Sequence, residues 1–343
     1  MGSRTTTAAD ARYTAATIPA STLAGLVDYA AEKGRDAERW FAGCGLSAKQ
    51  TFDPDAKLSF RQVARIVRRA LNDFDGGLGL AIGSRATLPG LGVLGFSMMT
   101  SPTMADVKEV GQKYHPVSGS LVDVSCRTVD GELVLEAFER FPEPGILEFL
   151  CEKFFASALA ATRALIGPHY RPLRLELAYP APPHASAYRE LFGCPVRFSA
   201  GHNRMFASME VLGQPLPSHS PSTHAEALRL CESKMPQAAA APDQVEALQH
   251  WLRERLGEAP TIAEAAAALH VHERTLRRHL QAAGTSFRAI HDRLRADRAR
   301  SLLRDRALGI AEIAARLGFS DEREFRRAYR RWTGEVPSAA RET

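Results

Sequence analysis

Ile262-Ala263-Glu264-Ala265-Ala266-Ala267-Ala268-Leu269 is answered 48 positions later by Ile310-Ala311-Glu312-Ile313-Ala314-Ala315-Arg316-Leu317. With one residue inserted in the second turn, Leu276-Arg277-Arg278 aligns with Phe325-Arg326-Arg327, and Leu280 with Tyr329. Each copy reads as a short helix, a tight turn and a second helix. Two short helices that cross steeply need a small residue where they touch, and Ala266 and Ala314 stand at that point. Leu269, Val271, Leu276 and Leu280 supply a core in the first copy, and Leu317, Phe319, Phe325 and Tyr329 in the second. The turn calls for a residue that tolerates positive φ, which Gly318 provides at no steric cost.

This residue usage is that of a helix-turn-helix, whose second helix keeps an outer face free for the major groove of duplex DNA. Arg274, Thr275, Arg277 and Arg278 lie on or near that face in the first copy, and Arg323, Arg326 and Arg327 in the second. Arginine on an amphipathic helix is ordinarily a solvated face, and one generic helix-turn-helix is a weak signal. Two in tandem within one arginine-only block are a specific one. From Pro242 onward there are 19 Arg and no Lys against 15 Asp plus Glu, whereas the preceding 241 residues hold 25 basic and 24 acidic side chains. Nearly all of the chain's +5 net charge thus sits in its last third. Arg suits planar, bidentate contacts to phosphates and guanine edges.

Around the repeat the spacing predicts only helices: 243–256, 262–269, 273–282, 287–303, 310–317 and 321–332, with Asp243 and Thr261 as N-caps. Pro236 to Pro242, with four alanines inside, reads as a linker. Residues 224–234 read as a helix bridging two domains. Upstream the pattern is mixed. Helices are expected at 22–33, 59–74, 103–114, 147–166 and 185–192, and strands at 121–127, 132–138, 173–177, 196–198 and 204–210. Val129-Asp130-Gly131 between the first two strands reads as a hairpin turn, Thr103 as a cap, and Gly167-Pro168 as a helix stop.

The expected fold class is an α+β N-terminal effector domain followed by an all-α C-terminal domain with two tandem helix-turn-helix units. The expected boundaries are a disordered leader over 1–19, an effector and dimerisation domain over 20–220, a bridging helix and linker over 221–242, and a DNA-binding domain over 243–343 with its units at 262–283 and 310–333.

A chain of 343 residues with 45% hydrophobic and 24% charged side chains has the composition of a soluble globular protein. No apolar run approaches the roughly 18 residues of a membrane span, and the Thr/Ala-rich start lacks the apolar block of a secretion signal. The expected compartment is the cytoplasm. Cys44, Cys126, Cys151, Cys194 and Cys231 are too scattered for a disulfide framework or a zinc cage. The glycine-dense stretches 76–83 and 90–95 complete neither a dinucleotide nor a Walker pattern, and no G-x-S-x-G elbow is present. His115, His169, His184, His202 and His219 lack metal-ligand spacing. No catalytic residue, metal or cofactor is expected, and the chain reads as a non-enzyme.

The tail Leu317-Gly318-Phe319-Ser320, then Phe325-Arg326-Arg327-Ala328-Tyr329-Arg330-Arg331-Trp332-Thr333-Gly334 and Pro337, resembles the signature of AraC/XylS-type regulators. So does Thr285-Ser286-Phe287 followed by the helix Arg295 to Leu303, which in that family is a rigid connector between the two units. The resemblance covers about the last hundred residues and implies recognition helices in successive major grooves, about 34 Å apart. Three positions depart from it. His270 stands where the first turn often has Gly, and His272 replaces the usual Ser or Thr cap. Asp321, Glu322 and Glu324 crowd the start of the second recognition helix, which favours the helix dipole but repels phosphates. Looser base readout by the second unit is expected.

The upstream region resembles the arabinose-binding-type effector domain of one branch of that family, the branch of the ornithine-utilisation regulators. The matching residues are Gly77-Leu78-Gly79-Leu80, Gly92 through Gly95, Ser101-Pro102-Thr103, Tyr179-Pro180-Ala181-Pro182, Phe192-Gly193-Cys194-Pro195-Val196-Arg197-Phe198, Asn203, Phe206 and Pro215-Leu216-Pro217. The resemblance implies an activator with an unidentified small-molecule effector, a homodimer, and RNA polymerase as a further partner besides double-stranded DNA. The alternatives are a ligand-independent regulator whose N-terminal domain serves dimerisation or a protein partner, and an enzyme–regulator fusion. A mostly apolar pocket is expected, drawing on some of Phe96, Met98, Met99, Phe138, Phe141, Phe149, Phe154 and Phe155, with Arg163, His169 and Arg174 as candidate anchors for a carboxylate.

Overall fold

Ser59 and Gln62 exchange hydrogen bonds across the first turn of a helix spanning Phe60–Leu71 and form a capping box. Phe60, Val63, Ile66, Val67 and Ala70 all fall on one side of it and are buried. Such local matches of cap and stripe recur along the chain. The computed structural model describes residues 11–235, 243–253, 255–258, 260–269, 271–305 and 308–341. They divide into two units, one of residues 1–40 and 48–240, the other of residues 41–47 and 241–343.

In the first unit the elements run α1 (Ala11–Thr14), β1 (Ile18–Pro19), α2 (Ala24–Glu32), α3 (Glu38–Phe41), β2 (Lys57–Leu58), α4 (Phe60–Leu71), α5 (Leu78–Gly83), α6 (Val93–Thr100), α7 (Met104–Tyr114), β3 (Val122–Val129), β4 (Glu132–Glu139), α8 (Leu147–Ile166), β5 (Arg174–Glu176), α9 (Ala185–Phe192), β6 (Val196–Arg197), β7 (Arg204–Ser208) and α10 (Pro221–Ser233). The sheet order is β3-β4-β7-β5-β6, with only β5 and β6 parallel. Asp130 (φ 50°) and Gly131 (φ 78°) make the two-residue turn between β3 and β4, both left-handed as the twist of a tight hairpin requires. The twenty-residue α8 covers the expected span and stops at Gly167.

The glycine-dense stretch serves helix packing. A Cβ on Gly79 would stand 2.5 Å from Glu152 Cβ, and one on Gly83 would stand 2.6 Å from the Lys153 carbonyl oxygen. These two glycines, one turn apart on α5, let its backbone lie directly on α8. Thr103 caps α7 in a second capping box, with Asp106.

Two boundaries differ from expectation. Residues 11–19, expected as part of a disordered leader, belong to the first unit: Tyr13 packs on Phe60 and Phe141 with ring centroids 6.1 and 5.4 Å apart, and Ile18 pairs with Leu58 and is buried. Two apolar anchors five residues apart give no periodicity for a sequence reading to find. The helix expected as a bridge, α10, begins earlier, at Pro221, and packs on α6. Its Cys231 is fully buried beside Leu94, Val110 and Tyr114, and Glu232 accepts a hydrogen bond from the Tyr114 hydroxyl at 2.8 Å. The expected linker at 236–242 and residues 1–10 of the leader lie outside the described residues.

The second unit contains α11 (Asp243–Arg253), α12 (Ile262–Ala268), α13 (Glu273–Ala282), α14 (Phe287–Leu303), α15 (Ile310–Arg316) and α16 (Glu322–Thr333). Its core is double. Leu248, Leu252, Ala265, Ala266, Leu269, Leu276, Leu280, Ile290 and Leu294 make one cluster. Ala299, Leu302, Leu303, Ile313, Ala314, Leu317, Phe325 and Tyr329 make the other. The first half of α14 therefore seals one cluster and its second half the other, over about 25 Å at 1.5 Å per residue.

Candidate nucleic-acid interface

The repeat in the sequence is a repeat in space. Ala266 and Ala314 are buried at matching places in α12 and α15, and Leu269, Leu276, Leu317 and Phe325 are buried in the two cores. Gly318 turns the chain between α15 and α16 at φ +74°. A Cβ there would also stand 2.6 Å from the Gly257 carbonyl oxygen, so the position excludes a side chain twice over. His270, in the corresponding turn of the first copy, lies outside the described residues.

Helix starts are divided between the copies. Thr261 and Glu264 form a capping box on α12, but His272 at the head of α13 makes no side-chain cap bond. In the second copy Gly309 leaves α15 uncapped, while Asp321 accepts from the Glu324 amide at 2.6 Å and caps α16. Glu324 in turn accepts from Ser320 Oγ at 2.8 Å. The acids at the start of α16 thus order that helix end.

Arg274, Arg277 and Arg278 on α13 are exposed, and so are Arg323, Arg326 and Arg327 on α16. Thr275 is half-buried at the edge of the face. The two sets coincide under the 49-residue offset of the second helices, and so do their partners. Arg277 Nε donates to Glu273 one turn earlier at 2.9 Å, and Arg326 Nε donates to Glu322 in the same geometry at 2.8 Å. Arg274, Arg278, Arg323 and Arg327 make no hydrogen bond or ion pair with any described residue. Four guanidinium groups without partners among the described residues, two per helix, offer planar donors to phosphate or guanine. Gln281 and Arg330 extend the same stripes one turn further and are exposed. The sequence reading passed over both, although their i, i+3, i+4, i+7 spacing was available to it.

The first unit holds a partly open pocket of about 250 Å³ between α6, α7 and α8 and one face of the sheet. Alternate residues line it: Val122, Val124 and Cys126 from β3, Leu133 and Leu135 from β4, and Met205 and Ala207 from β7. Of the eight apolar residues expected there, only Met98 and Phe154 line it. Phe141, Phe149 and Phe155 are core side chains, and Phe96 and Phe138 are exposed. The expected carboxylate anchors are elsewhere too. Arg163 donates to the carbonyl oxygens of Tyr170 and Leu191, Arg174 pairs with Glu132 and Glu176, and His169 is exposed. The cations that line the cavity are Lys108 and Lys153.

The fold also gathers Glu148, Glu152 and His184, whose ligand-type atoms lie within 4.8 Å of one another although nothing in their spacing announces it. The Glu152 carboxylate is fully engaged: it meets His184 Nε2 at 2.5 Å, accepts from the Tyr188 hydroxyl at 2.8 Å and from the Gly79 amide at 3.1 Å. This buried network ties α8 to α5 and α9.

Tandem helix-turn-helix units behind an α+β domain define a DNA-binding transcription regulator. Comparisons agree. A family described as the N-terminal arabinose-binding domain of AraC transcription regulators matches residues 34–216, and a helix-turn-helix domain matches 265–343. The chain is 30% identical over 336 residues to the ornithine utilization regulator of Pseudomonas aeruginosa, covering 96% of this chain and 98% of that protein. It is 28% identical over 329 residues to the transcriptional regulator VirS of Mycobacterium tuberculosis, covering 93% and 95%. Among solved structures it is similar to the regulator CdpR of Pseudomonas aeruginosa, at 24% identity and a TM-score of 0.47, covering 93% and 97%. The chain belongs to the AraC-type transcription regulators with an arabinose-binding-type N-terminal domain. No helix among the described residues is long and apolar enough to cross a membrane.

Proposed function

We propose that Arg274, Thr275, Arg277 and Arg278 enter one major groove of an operator and that Arg323, Arg326 and Arg327 enter the next. The observation that carries this reading is the recurrence, in register, of three exposed arginines on the outer face of both second helices. Base edges and phosphates supply the acceptors that Arg274, Arg278, Arg323 and Arg327 lack among the described residues. The connector α14, shared by both cores, holds the two helices in one body.

In the same proposal the first unit senses a small molecule in its cavity and shifts the balance between two arrangements of a homodimer. Activation by contact with RNA polymerase, in the cytoplasm and without catalytic turnover, follows the resemblance to regulators of this type. A sensor is favoured over a first unit that only dimerises, because that unit holds a largely apolar pocket of about 250 Å³.

The test is selection of bound fragments from a random duplex library by the full-length chain, followed by a metabolite screen on the selected operator. The proposal expects one enriched sequence and at least one compound that changes its affinity and raises the melting temperature of the protein. Absence of enrichment contradicts the DNA assignment, and silence across a broad metabolite library contradicts the sensor.

A further inference from the structure

The charges in the wall of the first unit's cavity are all of one sign. Its titratable groups are Lys108 and His115 at α7 and the turn after it, Cys126 on β3, Lys153 on α8, and Tyr170. No Asp, Glu or Arg is among the described residues that line it. Burial pushes the Cys126 thiol up and the Tyr170 phenol up to about 12, and holds His115 below its ordinary value. Those three are uncharged at neutral pH, which leaves the two lysines.

Neither Lys108 nor Lys153 makes a hydrogen bond or ion pair with a described residue. Lys153 is the more telling. It sits in the middle of α8, where the neighbouring Glu152 is already engaged by His184, Tyr188 and Gly79. Lys153 is half-buried, and burial alone pushes its ammonium pKa down to about 8. An ammonium partly withdrawn from water without a counter-charge is costly, and an anion delivered into the same pocket reduces that cost.

We propose that the cavity binds a small amphiphilic carboxylate, its acid group against Lys153 with Lys108 as a second cation, and its apolar body against Met98, Leu135 and Met205. This rests on the reading of the first unit as a sensor and names the chemistry it senses. Size narrows the class. A dry cavity of 150 Å³ accepts benzene, so about 250 Å³ accommodates roughly ten non-hydrogen atoms. The acid can be an alkyl or an aryl one.

The experiment titrates the full-length protein with octanoate, 3-phenylpropionate, 1-octanol and octylamine, followed by calorimetry and melting temperature, with operator binding measured on the same preparation. One of the two acids is expected to bind at least tenfold more tightly than octanol, and the stronger of the two tells alkyl from aryl. Octylamine is expected not to bind. Lys153→Met should lose at least tenfold in acid affinity while keeping octanol within twofold. In wild type, acid affinity should fall as pH rises above about 8, a readout that stands even where the variant fails to fold. Acids no tighter than octanol, a preference for octylamine, or acid binding indifferent to both Lys153→Met and pH overturns the proposal. Failure of the acids with operator binding intact sinks this inference alone, while loss of operator binding with acid binding intact sinks the DNA reading alone.

Discussion

The guanidinium of Arg295 lies over the ring of Phe319, 5.0 Å from its centroid. The same side chain donates from Nη2 to the Glu258 carbonyl oxygen at 2.9 Å. One residue of α14 therefore grips both the loop ahead of the first helix-turn-helix and the turn inside the second. Replacing it with alanine removes a cation–π contact and a charged hydrogen bond, together worth about 1–3 kcal/mol. Arg295→Ala should lower the urea midpoint of the protein and weaken binding to a full operator. An unchanged midpoint contradicts the bracing role.

Gly318 and Gly334 separate two effects of the left-handed conformation. Both have positive φ, +74° and +82°, but only Gly318 also faces a backbone oxygen where a Cβ would go. Gly334→Ala should cost about 1–2 kcal/mol for the conformation alone. Gly318→Ala should cost clearly more and disturb DNA binding, since the turn sets the course of α16. Equal losses in chemical denaturation would show that the contact with Gly257 is soft.

Glu273 and Glu322 occupy Arg277 and Arg326 in the free protein. Both pairs are surface-exposed, so they contribute little to stability, but each acid opposes an approaching phosphate. Glu273→Gln and Glu322→Gln should each tighten operator binding several-fold at low salt, with the gain shrinking as salt rises. Anisotropy titrations at several salt concentrations check this, and weaker binding by either variant would assign that glutamate to base readout.

His291 is buried on α14, and burial pushes its pKa down from 6.5 to about 4. The unfolded chain takes up a proton near pH 6.5 and the folded chain only near 4, so below 6.5 the unfolded state binds more protons. Stability should be highest above pH 6.5 and decline as pH falls toward 4. His291→Leu should flatten that limb in a pH series of melting curves. An equally steep acid limb in the variant places its origin elsewhere.

The second unit was legible because its information is local: the 3.6-residue stripe, the repeated alanine contact and Gly318 all lie within single helices and turns. Helices α8 and α9 and the β3–β4 hairpin were legible for the same reason. What escaped was long-range. Tyr13 and Ile18 tie down residues 11–19 through partners at Phe60, Phe141 and Leu58. Gly79 and Gly83 take their meaning from the approach of α8. Arg163 and Arg174 looked available until the fold supplied Leu191 and Glu132 as partners. Lys153 carries no signal of its own on a long helix, because three helices and three strands must meet before a cavity exists for it to line.

Two arginine-bearing helices reading adjacent turns of one duplex are the central claim. Guanine methylation interference on the selected operator measures this directly, with wild type, Arg277→Ala/Arg278→Ala and Arg326→Ala/Arg327→Ala compared. Within the half-site bound by one protomer, wild type should show two major-groove patches about one helical turn, or 34 Å, apart. Each double variant should erase one patch, leave the other, and weaken binding by about 1–3 kcal/mol for each arginine–guanine pairing it removes. A single patch in wild type, or two patches that survive both double variants, would contradict it.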